Sequence, residues 1–496
     1  MTEFLARYFS FLSVSKSITV LSMIHNHTQF WKEHPALLVA LCLLIGTGSF
    51  LFWEGPWNYL WPALWAIYLI SLRSWTSIIL VIAAILYSWC LYSGSPGGDK
   101  AYFSIASLQP HATPFQKGLL YKGMLFSNGS RFPCSIYTQS GDRPAANCDY
   151  LLKGYLTDRG SYNYAFKAKE WFPVKNTWSL AELRYQTKER LRQFLEQKLH
   201  QPRTATFLSS LLTGDVEDRS LRYEFSRLGL QHILAISGFH FSILIAFCSF
   251  FLGLVLPHRW KIIALLIAVN VYFIFIGSVP AVQRSWLTAT LYLTGKLIYR
   301  HSSGLNLLGV AMTVELLLDP LISAHLGFQL SFLSCTGILL FYPLCERPLR
   351  LLLPKQRANE LTSPHIHLLA AYLRQALAIT LAVNMAILPL LLHISHQFPL
   401  LGLLYNLFFP FLVSAALFIL LLALMAHLLF PPLAGLLFPL TDFLTAQILD
   451  LAAYPPLAFD YSLRVSSFPA WIIPIYLFSL FVLSTNTSNK ILINNN

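Results

Sequence analysis

Apolar blocks of about 17–25 residues, the length that carries a helix across a bilayer, punctuate most of this chain. The first three occupy 35–53, 57–72 and 75–92. A polar interval follows, from residue 93 to about 227. Apolar blocks then resume near 230–256, 260–279, 284–299, 304–318, 326–343, 368–394, 403–429, 433–452 and 469–485. This pattern predicts a polytopic α-helical membrane protein with roughly twelve crossings. Several blocks are short or broken by Pro and Gly, which leaves re-entrant segments open as an alternative. The block 284–299, which holds Lys296, is the weakest of the set.

The polar interval has two periods of its own. From 118 to 174, runs rich in Tyr, Phe, Ile and Leu alternate with turn residues: GLLYKGMLF-SNGS, CSIYTQ-SGDRP, YLLKGYL-TDRGS and YNYAFKAKEW. They predict about five strands in a small barrel or meander. From 179 to 201 the period becomes helical. Leu180, Leu183, Leu191, Phe194, Leu195 and Leu199 make one face, opposite Arg184, Lys188, Arg192 and Lys198. Ser179 and Glu182 have the spacing of a capping box. Such a basic face lies on a membrane, lines the approach to a pore, or is simply the solvated side of a packed helix. The expected organisation is a cytoplasmic lead with three transmembrane helices (1–92), an extracytoplasmic β domain (93–178), an amphipathic helical segment (179–227), a polytopic domain (228–485) and a short tail (486–496).

Composition agrees with a membrane protein and argues against a soluble enzyme. The chain is 55% hydrophobic and 11% charged, with a mean hydropathy of +0.56. Residues 1–30 lack the clean apolar run and cleavage site of a signal peptide. The net charge is +13, and the basic residues of the short loops are Arg7, Lys16 and Lys32, then Arg73, Arg259 and Lys261, Lys296 and Arg300, and Arg347, Arg350, Lys355 and Arg357. With the amino terminus inside and twelve crossings, all of these face the cytoplasm, 93–227 lies outside and the carboxyl terminus lies inside. Cys42, Cys90, Cys248, Cys335 and Cys345 read as small core residues. Cys134 and Cys148 flank the turn SGDRP, where a hairpin would bring them within bonding distance. A disulfide is expected there outside the cytoplasm, two neighbouring thiols being the alternative.

Candidate chemistry falls in two places. Residues 93–227 carry 19 Lys and Arg against 12 Asp and Glu, interleaved with aromatics. Single-stranded nucleic acid, a polyanion with apolar base faces, is held by that combination. Lys122, Arg131, Lys153, Arg159, Tyr162, Tyr164, Lys167 and Lys169 are the candidates, against the plain alternative of core aromatics and a solvated face. The second place is LGLQHILAISGFHFSILIAF, 228–247, where a membrane-depth segment keeps His232, Ser237, Gly238 and His240. If helical throughout, His232, Ser237 and His240 fall within about 140° of arc and line one wall. Arg284, Asp319, Gln329, Asn384 and Asn406 are further candidates for a polar interior path, although each alone is equally suited to bonding a neighbouring helix. A largely neutral wall suits a polyanion, because a ring of fixed cations would trap it. Two other readings remain. One is a permease for another anionic solute. The other is an intramembrane hydrolase with Ser237 as nucleophile and His240 as base, for which no third orienting group is identifiable. No ATP-binding Gly-rich loop occurs, and no cofactor or metal is expected, because His365 and His367 lack carboxylate or thiol partners.

These blocks resemble the ComEC-type competence proteins. The resemblance rests on LGLQHILAISGFH, on GSVPAVQRSWLTATL with Arg284, on DPLISAHLGFQLSFLSCTGILLF with Asp319, Gln329 and Ser331, and on LPLLLHISHQFPLLGLLYNLFFPFLV with Pro389 and Asn406. It implies an inner-membrane channel that imports single-stranded DNA during natural transformation, working with DNA-receptor and motor proteins in an oligomeric state the sequence leaves open. It also implies that the strand-rich domain is a small oligonucleotide-binding-type (OB-like) fold inserted after the third transmembrane helix. Many members of the family end in a metallo-β-lactamase-like domain. This chain carries no His-x-His-x-Asp-His cluster and stops at Asn496, so no nuclease activity is expected of it.

Overall fold

The computed structural model describes residues 26–51, 56–92, 100–112, 117–127, 130–139, 143–158, 164–176, 179–216, 218–234, 238–352, 364–455 and 462–494. It opens with helix α1 (Asn26–Glu33), bent by 97° against α2 (Pro35–Leu51). Helices α3 (Trp57–Ser71) and α4 (Trp75–Tyr92) follow. Gly46 is needed here: a Cβ would sit 2.6 Å from both the Ala84 methyl and the Val81 carbonyl, so its absence lets α2 and α4 touch backbone to backbone.

The chain then forms β1 (Lys100–Ala112), β2 (Lys117–Ser127), β3 (Ser130–Gln139), β4 (Cys148–Asp158) and β5 (Tyr164–Asn176). They close into a barrel in the order β1-β2-β3-β5-β4, with one parallel contact, between β3 and β5. Side chains alternate across each strand: on β2, Leu119, Tyr121 and Leu125 point into the core while Lys122 and Phe126 point out. The tight curvature of so small a barrel depends on glycine at two irregular positions. Register shifts lie at Ile105/Ser107, opposite Gly123, and at Lys153/Gly154. A Cβ on Gly123 would lie 2.0 Å from the Ser104 carbonyl, and one on Gly154 would lie 2.1 Å from that of Lys167. Strand β1 precedes the stretch 118–174 in which the sequence pattern placed its strands.

The expected disulfide is absent. Cys134 and Cys148 are both thiols, because they do not share a hairpin: β5 lies between β3 and β4. Cys134 is opposite Tyr164 at the start of β5, and Cys148 is opposite Asn176 at its far end.

Helix α5 (Leu180–Lys198) begins with Ser179 accepting from the Ala181 N–H at 3.1 Å. Glu182 does not complete a capping box. It pairs with Arg143 and accepts from the Ala146 N–H at 3.1 Å, clasping the helix to the loop that leads into β4. That loop is itself held by Tyr121 and Tyr150, whose hydroxyls donate to the Pro144 and Ala145 carbonyls. Helices α6 (Pro202–Thr213), α7 (Arg219–Arg227) and the short α8 (Gln231–Leu234) complete the segment.

The rest is helical: α9 (Gly238–Val255), α10 (His258–Ile276), α11 (Pro280–Leu297), α12 (Gly304–Leu318), a 3-10 turn (Pro320–Ala324), α13 (Leu326–Leu352), α14 (Pro364–Ser395), α15 (Leu401–Leu429), α16 (Pro431–Ala453) and α17 (Ile472–Asn494). Strands β6 (Gln397–Pro399) and β7 (Ser462–Arg464) pair across the α15–α16 excursion. All twelve apolar blocks are therefore helices, as a bilayer without water to satisfy backbone groups requires. Among the described residues seven are long and apolar enough to cross alone, or eight if α1 and α2 form one bent span, against the roughly twelve crossings that the pattern predicts. The protein is thus a multi-pass membrane protein with an inserted five-stranded barrel. Its largest core joins α6 and α7 to α15 and α16.

Candidate nucleic-acid path

The barrel divides the predicted nucleic-acid residues between two faces and its core. On β4 and β5, Lys153, Lys167 and Lys169 all project outward and are exposed. The Lys169 ammonium lies 4.6 Å from the centre of the Tyr155 ring and donates to its hydroxyl at 2.9 Å. Tyr155 is directly opposite Lys167 and is 58% exposed. Lys153 reaches Glu170 at 3.4 Å. Tyr164, by contrast, is a core residue, packed edge-on against Phe132. The strand's alternation puts it on the inner face, so Tyr155 supplies the exposed aromatic that the sequence assigned to Tyr164. Arg159 and Tyr162 lie outside the described residues.

Arg131 and Lys122 lie on the β2–β3 side. Arg131 stacks over Phe126 at 5.5 Å and is within electrostatic reach of Tyr92, at the end of α4. Lys122 faces the seam between barrel and helices, within reach of Asp215 and of His325. Water reaches it although protein crowds most of its length. Beside it runs the basic side of α5. Arg184 donates to the Ile274 carbonyl at 2.8 Å and packs on Gly277. Lys188 donates to Asp215 at 3.1 Å, with both side chains nearly inaccessible. The amphipathic reading of α5 is therefore inverted at its start: Leu180 and Leu183 are exposed while Lys188 is buried. Burial pushes the Lys188, Arg184 and Lys122 pKa values down, and Asp215 partly opposes this in each case.

The structure brings His232, Gly238 and His240 of the stretch 228–247 together with residues of α11 and α12. His232, on α8, keeps accessible surface although protein surrounds it closely. It is within electrostatic reach of His240, which is 1% exposed on α9. Gly238 opens α9 against α11: a Cβ would stand 3.1 Å from an Arg284 guanidinium nitrogen and 3.2 Å from the Ser285 hydroxyl. Arg284 in turn donates to Ser331 at 2.6 Å and to Ser285 at 3.3 Å. Facing it is a residue the sequence pattern did not single out. Glu315 on α12 is 1% exposed, has no hydrogen bond to either carboxylate oxygen, and lies within electrostatic reach of Arg284. A lone acid inside the apolar run AMTVELLL was the signal available for it.

The other candidates do not join this group. Asp319 caps the 3-10 turn through the Leu321 N–H at 3.0 Å and accepts from Tyr92 at 3.1 Å. Gln329 ties α13 to that turn through the Ser323 carbonyl. Asn384 donates to Thr380 on its own helix, and the Asn406 side-chain oxygen is buried without a hydrogen bond. Ser237 and the side chains of His365 and His367 lie outside the described residues.

A family model described as "Competence protein" matches residues 211–488. The chain is also 27% identical over 205 residues to ComE operon protein 3 of Bacillus subtilis (strain 168), which is 40% of this chain and 24% of that protein. It thus spans about a quarter of that relative's length. No solved structure matches. The matched block begins in α6, covers His232, Gly238, His240, Arg284 and Glu315, and takes in more than half of the sequence; the chain belongs to the competence protein family.

Proposed function

We propose that this protein acts in DNA uptake as an inner-membrane channel rather than an enzyme, passing single-stranded DNA into the cytoplasm. In this reading the barrel faces outside, receives the strand from receptor proteins on its Lys153–Tyr155–Lys167–Lys169 face, and hands it on to His232. A motor on the inner side draws the strand onward. The observation that carries the reading is the pair of imidazoles: accessible His232 just before α9, within electrostatic reach of buried His240 inside that apolar helix, in a protein whose barrel carries an exposed basic, aromatic face. Polar side chains at that depth are costly and face water or a substrate path, and the barrel's exposed Tyr155 with its lysines suits a base and its phosphates.

The test is transformation frequency, normalised to membrane-inserted protein, in His232→Ala and His240→Ala. Both are expected to lose uptake while the purified protein still binds fluorescent oligonucleotide. Full uptake per molecule in both would remove the path from this place.

A further inference from the structure

Helix α9 starts against a buried cation. A Cβ on Gly238, its first residue, would lie 3.1 Å from Arg284 Nη2 and 3.2 Å from the Ser285 hydroxyl, both on α11. A helix of 18 residues carries partial positive charge at that end, because its first amides have no partner within the helix. Two positive groups therefore meet here. Arg284 is 8% exposed, and the partners of its guanidinium are neutral: Nε donates to Ser331 at 2.6 Å and Nη2 to Ser285 at 3.3 Å. No carboxylate lies within ion-pair distance of it among the described residues. The acid on the adjoining helix is Glu315 of α12. Leu287, one turn on from Arg284, packs in the same cluster as Met312 and Leu316, which flank that acid. Glu315 is 1% exposed, and neither of its oxygens accepts a hydrogen bond. The guanidinium and the carboxyl are thus enclosed on neighbouring helices without pairing. A buried cation with only hydroxyls beside it is costly unless an anion completes it.

We infer that the start of α9 and the Arg284 guanidinium together form a site for one phosphate group, with Ser331 as a third, neutral partner. The inference rests on the nucleic-acid reading for its biological ligand, a phosphodiester of the passing strand. The site's anion chemistry does not depend on that reading. Helix-end amides and the planar fork of an arginine are the donors that phosphate oxygens accept best. Gly238 suits its place because, with no Cβ, it lets an oxygen approach the backbone, and it is only half-buried. Ser331 accepts from Arg284, which leaves its own proton for the anion. Ser285 donates to the Ala281 carbonyl at 2.8 Å, so it positions the guanidinium rather than the ligand. Glu315 competes for the same cation from the adjoining helix and tempers the attraction. One cation so tempered holds a phosphate and releases it, where a ring of fixed cations would hold the strand fast.

The experiment uses the full chain in detergent, carrying Lys167→Ala and Lys169→Ala so that two outer-face cations do not contribute. Binding of labelled inorganic phosphate is measured against sodium chloride at matched ionic strength, with the melting temperature alongside. This background protein is expected to bind phosphate, and Arg284→Met to lose it. Glu315→Gln is expected to tighten binding several-fold by removing the competing acid. A cluster that only packs predicts instead a shifted melting temperature with phosphate binding unchanged. If Arg284→Met fails to fold, Arg284→Lys serves: it keeps the charge without the fork and must bind phosphate several-fold more weakly. Phosphate binding equal in the background protein and the Arg284 variant, or absent from both, would overturn the site. A short oligonucleotide is expected to displace the labelled phosphate, and short-chain phosphatidylglycerol is not. The reverse would assign the site to a lipid headgroup and overturn the strand as its ligand. Phosphate binding that depends on Arg284, with full DNA uptake in Arg284→Lys cells, would leave the anion site standing and defeat the nucleic-acid reading of it.

Discussion

Two lysine–carboxylate pairs, one on each side of the barrel, show how differently the same chemistry is used. Lys153 and Glu170 meet at 3.4 Å with about half of each side chain exposed. Lys188 and Asp215 meet at 3.1 Å with 6% and 4% exposed. Water and salt screen the first pair, so its cation is free to exchange Glu170 for another anion. The second is held by its own desolvation: once α5 is docked, neither charge has anywhere else to go. The outer face is thus built to bind and release, and the seam is built to hold position. The membrane cluster goes further, setting the Arg284 guanidinium and the buried Glu315 carboxyl among hydroxyls, imidazoles and a glycine.

The largest departure from this comparison should come where space rather than charge is limiting. Gly238→Val drives a side chain into the Arg284 guanidinium, an overpacking cost of about 1–3 kcal/mol. Transformation per inserted molecule should fall to background, with oligonucleotide binding unchanged; uptake at half of wild type or better would show that α9 and α11 need not touch. Next, Asp215→Asn should lower unfolding free energy by about 3–5 kcal/mol, because it strands buried cations. Glu170→Gln should change it by less than about 1 kcal/mol. Denaturant melts of the two variants side by side measure the contrast, and equal losses would erase it. A smaller effect belongs to Lys167→Ala with Lys169→Ala. Oligonucleotide affinity should weaken, and the slope of log affinity against log salt should flatten by about one for each phosphate that is no longer neutralised. The smallest concerns Glu182. Burial alone would raise its pKa, but hydrogen bonds from Gln186 and Ala146 and the pairing with Arg143 outweigh it, leaving the value below the ordinary 4.5. A depressed carboxyl stabilises above its unfolded pKa and loses that contribution as pH falls through the folded value. The α5–barrel clasp should therefore loosen on acidification below about pH 4.5, and Glu182→Gln should lose this acid dependence in a melting-temperature series.

Most of the architecture was readable from residue pattern, for reasons that particular elements make plain. A membrane forces apolar runs into helices, so even the weak block around Lys296 is helical, as α11. Strands β2 to β5 announce themselves by aromatic alternation, whereas β1, with Gln109, Pro110 and His111 near its end, does not. What stayed hidden was pairing across the chain. Lys188 looked solvated because its partner lies 27 positions away, on the far side of α6. Cys134 and Cys148 looked like neighbours because nothing local says that β5 will slip between their strands. Tyr164 and Tyr155 are equally aromatic in sequence, and only the register of β5 against β4 decides which one faces out. In the apolar runs, His232, His240 and Arg284 stand out as candidates because polar side chains there are rare. Glu315 obeyed the same rule and was missed.

The strand pair β6–β7 sets a schedule as well as a shape. Sixty-five positions separate Phe398 from its partner Leu463. A ribosome adding about 5–20 residues per second leaves β6 waiting roughly 3–13 s for β7 to be made. Throughout that interval α15 and α16 must be synthesised and inserted while their near end is still unclipped. This clip therefore closes only after α15 and α16 have been made, and any slowing of synthesis between 400 and 461 prolongs the life of an open β edge.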